Sequence, residues 1–310
     1  MTVWSNTSSS MDLKPNFAGF GDLVNRQTPL IATFQAFGKV EQAAGFPVKW
    51  NVYTTAATAA DVTEGADIST FYYQAESAAS LPLVAKYVPI RLGAVMKANA
   101  EAGGVYDMTM ENQLVKSSED ALKALETAFC GSTQDVGLQA INDSTGIYAG
   151  IDQSSVTTWA GAEASAISGS IYGQCNSILA TLQSRGVGIN NLCIFAHPTA
   201  IRKFQASAAA SGSLSTSSPL GGGPTDLGRF PHQAVFNGAP IVAVDALPAG
   251  DMHFLDMTDA SIKMLKGPVP ENIDGSSLDS KVAIVVMGAL ELKTRNRHGK
   301  VTGCDDATAT

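Results

Sequence analysis

The stretch PVKWNVYTTAATAADVTEGADIS, residues 47–69, sets the narrowest limit on what this chain can become. Val48, Trp50, Val52 and Thr54 alternate with polar neighbours, the period of a strand with one face against other protein. From Thr54 onward the side chains are too small and polar to pack a core. LPLVAKYVPIR, from Leu81 to Arg91, reads as the returning strand. The two make a long hairpin with a soft polar tip. A two-stranded hairpin is marginal in water on its own, so this one has to lie on another surface.

The other segments alternate between helix and strand signals, which makes the chain α+β. From about Thr109 the residues Leu114, Val115, Ala121, Leu122, Leu125 and Phe129 recur near the helical period, and Gly131 suits the stop. The glycine-punctuated stretch GLQAINDSTGIYAGIDQSSVTTWAG, residues 137–161, follows as a connector, with Tyr148 and Trp159 isolated within it. Ala162 to Arg185 reads as a second helix with Ile171, Cys175, Ile178, Leu179 and Leu182 inward. Leu192 to Ala196 is a short buried strand, and Pro198 opens another helix. Residues 206–234 are Ser/Gly-rich and read as a mobile loop. Three short strands follow, with turns at Pro248–Gly250 and Asp256–Asp259, and SKVAIVVMGALELKTRN closes as a long strand. Residues 1–37 show no sustained period and read as an arm rather than a core element.

Composition excludes several classes. With 310 residues and 45% hydrophobic content, the chain has material for one large domain or two ordinary ones. Net charge is −8, so nothing suggests sequence-independent nucleic-acid binding by the whole chain. The one basic cluster, Lys293, Arg295, Arg297, His298 and Lys300, reads as the polar face of a strand. Only 15% of residues are charged, which suits surfaces that meet other subunits. The longest apolar run, Val282 to Leu290, is too short to cross a bilayer. No apolar signal core opens the chain, so a cytoplasmic origin is expected.

Reactive chemistry leaves no mark. There is no phosphate-binding G-x-x-x-x-G-K-[ST], and neither H-E-x-x-H nor G-x-S-x-G occurs. GFGDLV at Gly19 lacks a preceding strand. Cys193 and His197 are close in sequence, but four residues along a strand separate them by about 13 Å, too far to act as a nucleophile pair. Asp245, Asp251, Asp256 and Asp259 flank turns, where Asp serves the backbone, and lack the spacing of a cation loop. No catalytic, cofactor or metal site is expected. An active site assembled from distant residues would leave no local signature, so a hydrolase with dispersed residues stays an alternative.

The order of these segments resembles the major capsid proteins of tailed bacteriophages, with their Hong Kong 97-like fold. NNLCIFAHPTAIRKF is similar to that family's strand-then-helix unit, GAPIVAVDALPAGDMHFLD to its strand pair, and VAIVVMGALELKTRNRHGKVTG to its closing strands. The resemblance covers about residues 40–303. It implies an N-terminal arm over 1–40, an extended loop over 41–90, a peripheral domain with the long helix over 91–148 and 266–310, and an axial domain over 149–265. The connector becomes the passage between domains, with Tyr148 and Trp159 as packing anchors. The implied function is structural: pentamers and hexamers of one chain closing an icosahedral shell around the phage genome in the virion, assembled in the host cytoplasm. The chain itself is then the main partner. Portal, scaffolding and decoration proteins are further ones, DNA is enclosed without sequence-specific binding, and no membrane is involved. Trp50, Tyr53, Glu64 and Asp67 are the loop residues expected at intersubunit contacts. Some relatives cross-link through a lysine, but nothing marks Lys49 or Lys86 as reactive. An encapsulin-like nanocompartment shell protein has the same architecture and is the nearest alternative; a tail component forming tubes or rings is another.

Overall fold

The computed structural model describes residues 26–53, 76–93, 110–133, 135–143, 145–166, 170–210, 234–273 and 279–305. Two compact units emerge. One is drawn from Met1–Thr28, Ala85–Leu125 and Lys266–Met287, the other from Pro29–Val84, Glu126–Leu265 and Gly288–Thr310.

The first unit joins most of a long helix to one end of a sheet. That helix is the second in the chain, after α1 (Pro29–Ala36), and α2 spans Met110–Cys130. Ser117, Ala121 and Leu125 form its buried line at intervals of four. Val115, expected on that face, is 55% exposed. At about 100° per residue it falls roughly a third of a turn from the centre of the line, so the expected stripe was too wide. Arg26 pairs with Asp120 at 2.6 Å and Lys123 donates to the Gln27 carbonyl at 2.9 Å, fixing residues 26–27 to the helix. In the sheet, β4 (Val84–Gly93) flanks β13 (Asp279–Leu292), which flanks β12 (Ala260–Asn272). Ile273 N donates to Lys281 O at 3.0 Å, and Val282, Ile284 and Val286 turn one apolar face inward. Pro268 and Pro270 sit in β12 beyond Met264, the last residue that β1 (Val40–Gln42) pairs with. Ile262 N points to the β1 side, so by the two-residue period both prolines place their missing N–H on the same edge, where it costs no ladder bond.

The second unit is built on a six-stranded sheet. Its order is β7 (Ala162–Ser165), β14 (Gly299–Thr302), β11 (Met252–Asp256), β8 (Leu192–Ala196), β10 (Ala239–Ala243) and β9 (Ala234–Phe236). Strand β8 is parallel to β10 and antiparallel to β11, and it is buried along its whole length. Alternation along β8 explains the unbroken apolar run. Leu192, Ile194 and Ala196 join the cluster of α4 (Ile171–Ser184) and α5 (Pro198–Ala210), whereas Phe195 stacks on Phe34 of α1 with centroids 6.0 Å apart. Residues 29–36, read from sequence as part of an uncored arm, are therefore a core helix with Leu30 and Phe34 fully buried. Glu126 anchors that helix by accepting from Ile31 N at 3.1 Å.

Four expectations about individual elements change. Ala162–Ser165 is strand β7, parallel to β14, not the start of a helix. Its small residues have no period of their own and follow the neighbouring strand. Helix α4 begins at Ile171, where the Ser170 hydroxyl caps Gly173 N at 3.0 Å. Its five predicted inward residues, Ile171, Cys175, Ile178, Leu179 and Leu182, are all buried. Residues 206–210 complete α5 rather than a loop, and 211–233 lie outside the described residues. The strand after Asp259 is long, not short, and a further strand, β14, follows the one expected to close the chain.

Candidate assembly surface and its anchor

The hairpin that most constrains the sequence is present, with a different second strand. Strand β2 (Val48–Tyr53) pairs antiparallel with β3 (Glu76–Leu81), from Val48 opposite Leu81 to Tyr53 opposite Glu76. The more apolar run after Leu81 forms β4 in the other sheet. Pattern strength favoured it over ESAASL, but Ser80 N donates to Ala149 O at 2.8 Å and holds the weaker segment in place. Since the register is in phase, the hairpin has two distinct faces. Val48, Trp50, Val52, Ser77, Ala79 and Leu81 face inward, with Ala79 and Leu81 fully buried. Lys49, Asn51, Tyr53, Glu76 and Ala78 face solvent, and Tyr53 is 64% exposed.

The predicted contact residues therefore separate. Trp50 is half-buried against its own chain, its ring 6.3 Å from Tyr148 and tilted by 51°. Tyr53 is on the open face. Glu64 and Asp67 lie outside the described residues.

Beneath the hairpin the connector, which carries the short helix α3 (Leu138–Ile141) and the paired strands β5 (Ile147–Tyr148) and β6 (Ile151–Asp152), is tied down at several polar groups. Tyr148 is fully buried, stacks on Trp159 at 6.3 Å and 18°, and bridges β13: its hydroxyl accepts from Leu292 N at 2.9 Å and reaches Leu290 O at 3.5 Å. Burial pushes its phenol well above the ordinary range. Asp135, itself at φ +65°, accepts from Ala149 N. Asn142 meets His253 Nδ1 at 3.0 Å, and Gln139 donates to Asp251 at 2.7 Å. The expected anchors Tyr148 and Trp159 are both buried and stacked on each other. Two of the connector's glycines are required for different reasons. Gly150 holds φ +79°, whereas a Cβ on Gly161 would overlap the Arg295 guanidinium.

That arginine overturns the reading of the basic cluster. Strand β13 ends at Leu292, a 3-10 turn runs over Arg295–Arg297, and β14 follows. Arg295 and His298 have no exposure, and Lys300 is nearly buried. Arg295 donates to the Asp143 carbonyl, and burial lowers its guanidinium to about 10. Arg297 pairs with Asp256 at 2.8 Å and Asp259 at 3.3 Å, and Lys300 with Glu163 at 3.2 Å. Arg295 and Arg297 hold turns together, and Lys300 ties β14 to β7. Sequence reasoning missed them because a strand pattern assigns basic side chains to solvent, whereas the chain turns here.

The remaining polar groups serve the fold. The His197 ring accepts from Thr199 N at 3.2 Å at the start of α5, and Cys193 is sealed inside β8 with its thiol raised by burial. Burial raises Cys175 as well, and Cys304 to about 12. All four cysteines are buried, and none is in a disulfide. A polar cavity of 430 Å³ opens beside Gln139, Asp143, Asp251 and Lys300. Burial raises the Asp251 carboxyl there, although Gln139 donates to it. Among the described residues no group of three His, Cys, Asp or Glu is placed to hold a metal, and no helix is long and apolar enough to cross a membrane.

No protein-family model matches this sequence, and no curated protein does. Solved structures do match, over nearly the whole chain. A chain of the cyanophage A-1(L) capsid asymmetric unit superposes with a TM-score of 0.73 at 13% identity, covering 92% of this chain and 95% of that one. A capsid chain of a native GTA particle gives 0.64 at 14% identity, covering 96% and 97%. This is the Hong Kong 97-like capsid fold. A chain from the assembly of phage G major capsid and decoration proteins extends the likeness, with a TM-score of 0.53 at 9% identity over 98% and 100% of the two chains. At such identities the capsid fold is held by its pattern of buried positions, and few side chains are shared.

Proposed function

We propose that this chain is a major capsid protein, a structural subunit that assembles with copies of itself into an icosahedral shell around a phage genome. The observation that supports this most is the match of fold along almost the full length of both chains to capsid subunits. In this reading the arm lies within residues 1–40, ahead of the core helix at 29–36, 41–90 act as the extended loop, 91–148 and 266–310 as the peripheral domain, from which β14 returns to the six-stranded sheet, and 149–265 as the axial domain. The outer face of the β2–β3 hairpin, with Tyr53 in its last described cross-strand pair, meets a neighbouring subunit, and Glu64 and Asp67 extend the same contact. Trp50 holds the hairpin to its own subunit and sets the height at which that face is presented.

The remaining assignments follow from the same reading. Pentamers and hexamers are heterologous rings closed by symmetry. Portal, scaffolding and decoration proteins are the further partners. DNA is enclosed without sequence-specific contacts, which the net charge of −8 suits, and the shell forms in the host cytoplasm before becoming part of the virion. The reading assigns no catalytic role. A nanocompartment shell has the same architecture, but the matching structures described above are phage and GTA capsids, so the phage reading is preferred.

Size-exclusion chromatography and negative-stain microscopy of the chain expressed alone test the proposal. Closed shells or five- and six-membered rings are expected. A monomer with no high-mass species, even with a phage scaffold supplied, would sink it.

A further inference from the structure

We propose that His298 is an acid-operated lock on the joint between the Asp256–Asp259 turn and the Arg295–His298 turn of the second unit. The joint is made by a small set of contacts. Asp256 N donates to His298 Nδ1 at 3.1 Å, and Arg297 clamps the Asp256 and Asp259 carboxylates. Lys293 N donates to Asp259 O at 3.2 Å, and Lys39 Nζ reaches Thr258 O at 3.1 Å. On the other side Ala162 N donates to His298 O at 3.0 Å, so the same residue fastens edge strand β7.

The ring tautomer decides the chemistry. Because Nδ1 accepts from a backbone N–H, the neutral ring has its proton on Nε2, and its one basic nitrogen is already engaged. Protonation would aim an Nδ1 proton at the Asp256 amide proton. The ring has no exposure, the charges acting on it are Arg295 and Arg297 of its own turn, the two Arg297-bound carboxylates lie opposite, and Lys39 Nζ is held on the facing turn at Thr258 O. Burial and the two arginines hold the ring neutral down to about 3. The joint can take up the proton only by opening.

His253 is the informative contrast. It is equally buried, yet its Nδ1 faces the side-chain amide of Asn142, whose Oδ1 has no hydrogen-bond partner. Protonating His253 puts no backbone hydrogen bond of the two turns at stake, so the acid sensitivity that burial and the Lys300 and Arg295 charges give it falls outside this joint. The backbone N–H of Asp256 cannot be turned over, so the acid sensitivity of this joint belongs to His298.

Hydrogen exchange of peptides spanning residues 254–260 and 293–301, corrected for intrinsic rates, reads the opening directly. Each pH unit below about 6.5 weighs tenfold toward the open joint, so a drop to about pH 4.5 raises the opening constant about a hundredfold. His298→Asn keeps an acceptor for Asp256 N and abolishes the change, whereas His253→Asn leaves it in place. Equal protection at both pH values, or the same loosening in His298→Asn, overturns the proposal. Should His298→Asn fail to fold, the C2-proton exchange of His298 in the unaltered protein decides: titration below about pH 4.5 supports the lock, and titration near 6.5 overturns it. The exchange is read on the chain whether or not it assembles, so failure to form particles would leave this inference standing.

Discussion

Trp50 and Tyr53 are three residues apart on one strand and face opposite ways, so replacing each with alanine separates subunit stability from assembly. Full burial makes a Phe or Trp to Ala change cost about 3–5 kcal/mol. Trp50 is half-buried, its ring against Tyr148, so about 2 kcal/mol is expected from Trp50→Ala, a shift of several degrees in the melting temperature of the unassembled chain. Tyr53 is 64% exposed, and its removal should change that melting temperature by no more than about 0.5 kcal/mol allows. If its ring meets a neighbour, its loss weakens each contact by at least about 1.4 kcal/mol, tenfold in association. Scanning calorimetry reads the first effect; sedimentation of assembled particles across a concentration series reads the second. Tyr53→Ala is expected to melt like the unaltered subunit and to require about tenfold more protein to assemble. Equal melting losses for both variants, or unaltered assembly by Tyr53→Ala, would refute the two-faced hairpin.

Three further outcomes follow from the anchor. Gly161→Ala would drive a methyl group into the buried Arg295 guanidinium, and should cost about 2–4 kcal/mol in urea unfolding from overpacking and a disturbed charged hydrogen bond. Tyr148→Phe keeps the stack on Trp159 but leaves Leu292 N without its acceptor, a loss of about 1–2 kcal/mol by the same assay. Acid should weaken the fold. His253 and His298 are both depressed to about 3, so the unfolded chain binds more protons below about 6.5, and stability falls as pH falls through that window. At about pH 4.5 each ring contributes a loss near 2.7 kcal/mol, visible as a lower urea midpoint. A midpoint unchanged between about pH 7 and 4.5 would contradict the burial of both rings.

What could be read in the sequence followed the strength of local pattern. The five inward residues of α4, the strand Leu192–Ala196 and the proline-started α5 were legible because large apolar side chains recur at fixed periods. Strands β3 and β7 were not, since ESAASL and AEAS have no period and become strands only beside Ala149 and β14. The inward turn of Arg295 and His298 was illegible for another reason. Basic side chains ordinarily face water, and nothing local shows that Gly161, more than a hundred residues earlier, leaves space for a guanidinium. Of the proposed assembly surface, the alternation of Trp50 and Tyr53 showed the two faces, but not which was outermost.

Cryo-electron microscopy of the high-mass material formed by the chain alone tests the central claim most directly. The account predicts closed particles of five- and six-membered rings, with the Lys49–Asn51–Tyr53 face of each hairpin covered by the next subunit. Tubes, irregular aggregates, or closed particles in which that face stands bare to solvent would contradict it.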